Sequence, residues 1–210
     1  MPVSPAGARK RRYLPAAQRK EEILSAALAA FSSHGYAAAT IEHIATFAGM
    51  SKAGLYAHYK SKDEIFEDLL IQMLAPPFLG QSWLPAVDGR LRDNIDTFID
   101  QAYAKLANPD IIAMLRLLIA ESGRAPHLIR RWREEVLQPH IDAQQRMINE
   151  CVERGVARPS ALTRHFALVV TPALYVALWQ ILFGEVDGRQ ELEKVREVHR
   201  DLLIELLDPP

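Results

Sequence analysis

Residues 40–62 read TIEHIATFAGMSKAGLYAHYKSK, and the reading of this run decides the fold. Thr40 precedes Ile41, Ile44, Ala45 and Ala48, a stripe at helical spacing, and its hydroxyl is placed to cap the open amides of the first turn. Gly49-Met50 interrupts the stripe. Ser51 is then placed to cap a second short helix, from about Ser51 to Tyr59, that carries Leu55, Tyr56 and Tyr59. Two short helices joined by a tight glycine-containing turn make a helix-turn-helix, whose second helix is thin enough to enter the major groove of B-DNA.

Upstream, a helix is predicted from about Ala17 to Ser33, with Ile23, Leu24, Ala27, Leu28 and Phe31 on one face and Gly35 as its stop. Downstream, Ser61-Lys62-Asp63-Glu64 has the spacing of a capping box ahead of Ile65, Phe66, Leu69, Leu70 and Met73, so a fourth helix starts there and stops near Pro76-Pro77. The stretch from Phe78 to Gly89 reads as a connector. Beyond it, helices are expected at about 90–107, 110–122, 126–154, 160–183 and 189–207. No alternating strand of useful length is present. The fold class is all-α: an N-terminal three-helix DNA-binding domain with a helix-turn-helix, and a larger C-terminal helical domain for ligand sensing and dimerisation. The expected divisions are a flexible basic arm at 1–15, the DNA-binding domain with its linking fourth helix at 16–76, and the second domain at 77–210.

The chain has 210 residues, 49% hydrophobic and 24% charged, as expected of a globular protein. Its net charge of −1 conceals an asymmetry: residues 9–60 hold eight Lys/Arg (9, 10, 11, 12, 19, 20, 52, 60) against Glu21, Glu22 and Glu42, a local +5 that leaves −6 for the rest. A basic front on an acidic body suits a polyanionic partner at one end. The single cysteine, Cys151, offers neither an intrachain disulfide nor metal-site spacing, and a reducing, cytoplasmic setting is expected. No secretory signal is expected, because a charged amphipathic segment follows Arg9–Arg12.

Within this window the candidate DNA contacts are distinct in chemistry. Thr40 and Lys62 sit at helix starts, where free amides and the helix dipole favour phosphate. Ser51, Lys52, Ala53 and Gly54 form the leading edge of the second helix; Lys52 suits phosphate or guanine, and Gly54 allows close backbone approach. Tyr56, His58 and Tyr59 supply hydroxyl and imidazole donors, against the alternative that the two tyrosines are packing residues. Arg9, Arg11 and Arg12 would reach along a groove or backbone. His34, His43 and His58 do not converge with carboxylates, so no metal and no cofactor is expected.

The run from Phe31 to Ile65, through Gly35, Thr40, Ile44, Ala45, Ala48, Gly49, Ser51, Gly54, Leu55, Tyr56, Tyr59, Lys62 and Glu64, resembles the N-terminal domain of TetR/AcrR-family transcriptional regulators. Met50 and Tyr59 depart from the valine and phenylalanine usual there, and both keep an apolar body. The resemblance implies phosphate contacts from Thr40, Tyr56, His58, Tyr59 and Lys62, and places Lys52, Ala53 and Gly54 toward the bases. It also implies a double-stranded operator as partner, a homodimer packed through the last two helices of each subunit, and a pocket for a small-molecule effector.

Residues 166–184 carry no charge and are long enough to cross a membrane by length alone. Thr171, Pro172 and Gln180 make them a mediocre span, so a dimer interface over about 160–207, without membrane insertion, is expected. Phe98, Tyr103, Met114, Leu118, Trp132, Met147, Tyr175, Trp179 and Phe183 are the pocket candidates, suiting an apolar or aromatic effector. Arg116 lies inside an apolar run and is expected to pair with Glu121, another acid or an acidic ligand. No phosphate loop, dinucleotide fingerprint, His-Glu-x-x-His or nucleophile elbow is present, so no catalysis is expected. A helical small-molecule-binding or interaction protein without DNA binding or catalysis is the alternative, and it has no need of the capped, basic, glycine-containing run at 40–62.

Overall fold

The computed structural model describes residues 15–74 and 90–209; the arm carrying Arg9, Arg11 and Arg12, Pro76-Pro77 and the connector to Gly89 lie outside the described residues. Among the described residues the secondary structure is helical throughout. The N-terminal half contains α1 (Ala16–Ala38), α2 (Ile41–Phe47), α3 (Lys52–Tyr56) and α4 (Lys62–Leu74). The rest contains α5 (Leu91–Leu106), α6 (Pro109–Glu121), α7 (Pro126–Trp132), α8 (Gln138–Glu153), α9 (Ala161–Arg164), α10 (Thr171–Phe183) and α11 (Glu185–Leu207).

Gly35 does not stop α1. It kinks it, at φ 72° and ψ 158°, a conformation that side-chain-bearing residues avoid, and the chain resumes a last helical stretch to Ala38. The kink drives the Tyr36 ring inward against Phe31 and Phe66, at centroid distances of 5.5 and 4.8 Å. The capping box at the start of α4 is offset from the expected one: Ser61 Oγ accepts from the Glu64 amide at 3.1 Å, but the Glu64 carboxylate accepts from Lys60 N at 2.6 Å, one residue before Ser61. The helix after the turn is shorter than the span Ser51 to Tyr59; regular α-helix ends at Tyr56.

Two longer helices expected in the second half are also broken. The span 126–154 is α7, a π-helical turn at Arg133–Leu137 and then α8, which has proline near its start. Pro139 has no N–H to donate to the preceding turn, and the wider turn absorbs that defect. The span 160–183 is α9, a 3₁₀ segment at Phe166–Val170 and α10, separated at His165 and restarted beside Pro172.

Two apolar cores result. The first unites Ile23, Phe31, Ile44, Leu55, Phe66 and Leu70 from α1–α4 with Met114 and Leu117 of α6 and Leu128 of α7. The second gathers Ile95, Phe98 and Tyr103 of α5 with Ile148, Cys151, Val176 and Leu203. Burial pushes the Cys151 thiol up to about 11, leaving it an inert packing group. A polar pin crosses the second core: Tyr103 Oη donates to His199 Nδ1 at 3.0 Å, and His199 Nε2 donates to the Val169 carbonyl at 2.8 Å. Because a carbonyl only accepts, this pattern is that of a neutral imidazole protonated at Nε2.

Candidate nucleic-acid interface

Each reader helix opens with its own cap. Thr40 Oγ1 accepts from His43 N at 3.2 Å, and Ser51 Oγ accepts from Gly54 N at 3.1 Å. Ile41, Ile44 and Ala45 of α2 and Leu55 of α3 are buried, which fixes the turn on α1 and α4 and turns the opposite sides of both helices outward. Thr40, Ser51, Lys52, Ala53, Tyr56 and His58 are all exposed on this outward side, Tyr56 by 48%. Gly54 is half-buried there, and a Cβ on it would lie 3.2 Å from Ser51 Oγ, crowding the cap. Lys52 Nζ lies 3.8 Å from Glu42, a surface pair too loose to hold it against a competing phosphate.

Two predicted contacts point the other way. The Tyr59 ring is buried and its hydroxyl donates to Asp68 at 2.5 Å; burial first, and then this bond to a carboxylate, hold the phenol well above its usual range. Lys62 Nζ donates to the carbonyls of Tyr36 at 2.7 Å and Ala39 at 3.0 Å, and sits 4.4 Å from the Tyr36 ring centre. Its ammonium therefore satisfies the open carbonyl end of α1, a helix-terminus function. The packing alternative weighed for Tyr56 and Tyr59 thus divides: Tyr59 packs and Tyr56 does not.

Electrostatics select the same side. A cleft of about 530 Å³ on the flank of this unit is lined by Ala16, Lys20, His58, Tyr59, Glu64, Glu67, Asp68 and Ile71. Its three carboxylates, against one lysine, disfavour phosphate, whereas the exposed tip of α2 and α3 carries Lys52 and two capped helix starts.

One connection was not legible from the motif. Glu121, at the end of α6, is 1% exposed, and its Oε1 accepts from the Tyr36 amide at 3.2 Å and lies 3.5 Å from Arg124. A Cβ on Gly35 would come to 3.3 Å from that same oxygen. Arg131 of α7 adds contacts of 3.0 Å to Glu67 of α4, and Tyr36 Oη donates to Asp63. A chain of polar contacts thus runs from α6 through the α1 kink to Lys62. Distance along the chain is the reason sequence spacing missed it: Tyr36 and Glu121 are 85 residues apart.

The predicted ligand residues do not converge. Met114 belongs to the first core, with Leu118 and Trp132 packed against it, whereas Phe98, Tyr103 and Met147 belong to the second. Tyr175, Trp179 and Phe183 form a ladder along α10, with ring centres 5.7 and 4.5 Å apart, and Tyr175 and Phe183 are exposed. The spacing that suggested a pocket wall is in their case the repeat of an outer helix face. Arg116 is exposed and donates to the Ile181 carbonyl at 3.4 Å, near the open end of α10, instead of pairing with Glu121. The apolar run Phe166–Phe183 is long enough to cross a membrane, but it is not one α-helix; α10 itself has 13 residues, roughly 20 Å at about 1.5 Å each, against roughly 30 Å of hydrocarbon. Leu174, Leu178, Leu182 and Phe183 of α10 are exposed, as are Val198 and Leu202 of α11, which packs beside it, leaving large apolar side chains of both helices open in the single chain.

Residues 23–69 match the profile of bacterial regulatory proteins of the tetR family, and residues 85–190 match that of the tetracyclin repressor-like C-terminal domain. The nucleoid occlusion factor SlmA of Aliivibrio fischeri is 31% identical over 177 residues, covering 81% of each chain. The HTH-type transcriptional activator FasR of Mycolicibacterium smegmatis is 27% identical over 210 residues, covering 96% of this chain and 85% of the other. Among solved structures, a putative TetR-family regulator from Mesorhizobium loti superposes with a TM-score of 0.66 at 21% identity, over 94% of this chain and 100% of that one.

Proposed function

This chain belongs to the tetR family of bacterial regulatory proteins and is a ligand-responsive, DNA-binding transcriptional regulator; from that premise we propose that it is a repressor, released from a palindromic operator by a small apolar or aromatic molecule. The observation that carries the reading is the two-sidedness of α3: Leu55 is sealed into the core while Lys52, Ala53 and Tyr56 stand in solvent behind a capped helix start. In this reading Lys52, Ala53 and Gly54 face the bases and Thr40, Ser51 and Tyr56 hold phosphates, whereas His58, exposed but bordering the carboxylate-lined cleft, reaches a phosphate only on its outward side. Tyr59 and Lys62 keep the frame in which those contacts are made. Arg9, Arg11 and Arg12 add an arm along the duplex, ahead of a DNA-binding domain at 16–76 and a sensing domain at 77–210.

The family acts as dimers, and here the partner surface is the open face of α10 and α11 within about 160–207. Two-fold pairing presents two recognition helices to half-sites roughly 34 to 36 Å, or a multiple, apart. The reading is non-enzymatic and cytoplasmic, with the apolar face buried between subunits and not in lipid. Release needs an effector with different affinities for the DNA-competent and DNA-incompetent dimers. Helix α4 and the contacts of α6 with α1 join the two halves and are the lever in this reading.

Selection of duplexes from a randomised library at two salt concentrations tests the reading. A palindrome with steep salt dependence supports it. Absence of enrichment over background, with a folded dimer in the tube, would overturn it.

A further inference from the structure

The two halves meet over a second, smaller cleft. Met73 and Leu74 at the end of α4 form one wall; Phe98, Ala102, Lys105 and Leu106 of α5, Ile111 and Leu115 of α6, and Val170, Ala173, Leu174 and Ala177 complete it. Its volume is about 150 Å³. An apolar cavity of about that volume is known to take a benzene-sized guest. Of the predicted pocket residues only Phe98 lines it, and its ring also meets the His199 imidazole of the polar pin edge-on.

Every described lining residue is apolar except Lys105. Lys105 is half-buried, and loss of water holds its ammonium below the usual lysine range. A partly desolvated cation beside apolar walls is stabilised by an anion far more than by a neutral dipole. Lys105 already has another interaction, and a ligand carboxylate would add to it, since an ammonium carries three donors.

We propose that this cleft is the effector site and that it takes a small monocarboxylate, with its carboxylate on Lys105 and a short acyl or aryl body between α4, α5, α6 and α10. The proposal rests on the sensor reading above and names the ligand class for it. Occupancy acts on the reader directly, because Met73 and Leu74 belong to the helix whose other end begins at Lys62. A body wedged against them favours one setting of α4 over the other.

The test is calorimetric titration of the full-length dimer with hexanoate and with its neutral isostere hexanamide, and of the Lys105→Met, Lys105→Arg and Ala173→Phe variants. The expected result is at least a tenfold preference for hexanoate that Lys105→Arg retains and Lys105→Met abolishes, with Ala173→Phe blocking both compounds. Equal affinity for the two compounds, a preference that survives Lys105→Met, or no binding of either would overturn the proposal. The same preparations are assayed for operator binding. Operator binding without carboxylate preference sinks the ligand class alone, and loss of operator binding in the wild-type protein sinks the reading beneath it.

Discussion

Replacing Gly35 with alanine places a Cβ where the backbone stands at φ 72° and ψ 158°. Holding a non-glycine residue in that region costs about 1–3 kcal/mol. The new carbon also falls 3.3 Å from Glu121 Oε1, so the carboxylate must yield by a few tenths of an ångström. If it withdraws, the buried Tyr36 amide loses its acceptor, which costs about 1–3 kcal/mol more. The expected destabilisation is therefore about 2–6 kcal/mol, a large share of the roughly 5–15 kcal/mol that holds a domain together. Urea unfolding at one fixed protein concentration measures it, since a dimer's midpoint depends on concentration. Hydrogen exchange at the Tyr36 amide locates it. Combining Gly35→Ala with Glu121→Ala separates the two sources, because the second substitution removes the crowding and leaves the backbone cost. A loss below about 0.5 kcal/mol for Gly35→Ala alone would refute the reasoning about the kink, because surface substitutions free of such strain fall in that range.

Lys52→Ala and Lys62→Ala should part company: the first lowers operator affinity by about 1–3 kcal/mol and relaxes specificity at the base it faces, with unchanged unfolding, whereas the second destabilises the fold by about 1–3 kcal/mol, as titration of operator and base-substituted duplexes beside urea melts will show. Leu178→Asp with Leu182→Asp, at positions 49% and 64% exposed, should yield monomers in sedimentation and abolish operator binding while helicity persists. Stability should fall with acid through His199. Its folded value is pushed down to about 4 by burial, below the ordinary 6.5, so the unfolded chain binds the extra proton first. The loss begins near pH 6.5, reaches about 3 kcal/mol by about pH 4, and should vanish from the pH profile of His199→Leu.

Local features were legible in the sequence and distant ones were not. The caps at Thr40 and Ser51, the buried stripes of α2 and α3, and the start of α4 follow from spacings of three or four residues, which sequence displays directly. Breaks within long helices were harder. Pro139 and Pro172 mark both places, yet a helix tolerates proline in its first turn, so only the packing says that a new helix begins there. Orientation was harder still. Tyr56 and Tyr59 look equivalent in sequence, but the end of regular helix at Tyr56 rotates Tyr59 inward to Asp68. Lys62, a charged residue at a helix start, reads as a phosphate ligand until the α1 carbonyls are seen around it. Size and apolarity, the only marks of a pocket residue that the sequence displays, do not distinguish a cavity wall from a core or an outer face.

The shared first core also bears on how such regulators can be rebuilt. Met114, Leu117 and Leu128 complete the packing begun by α1–α4, so a fragment ending at Leu74 keeps every described residue proposed to face DNA but leaves its floor open. Grafting residues 1–74 onto a foreign sensor carries the specificity across without the side chains that hold it rigid. A working chimera needs its joint placed after α7, or α6 and α7 of the recipient recut to this surface, and the exchangeable unit is set by packing and not by the connector.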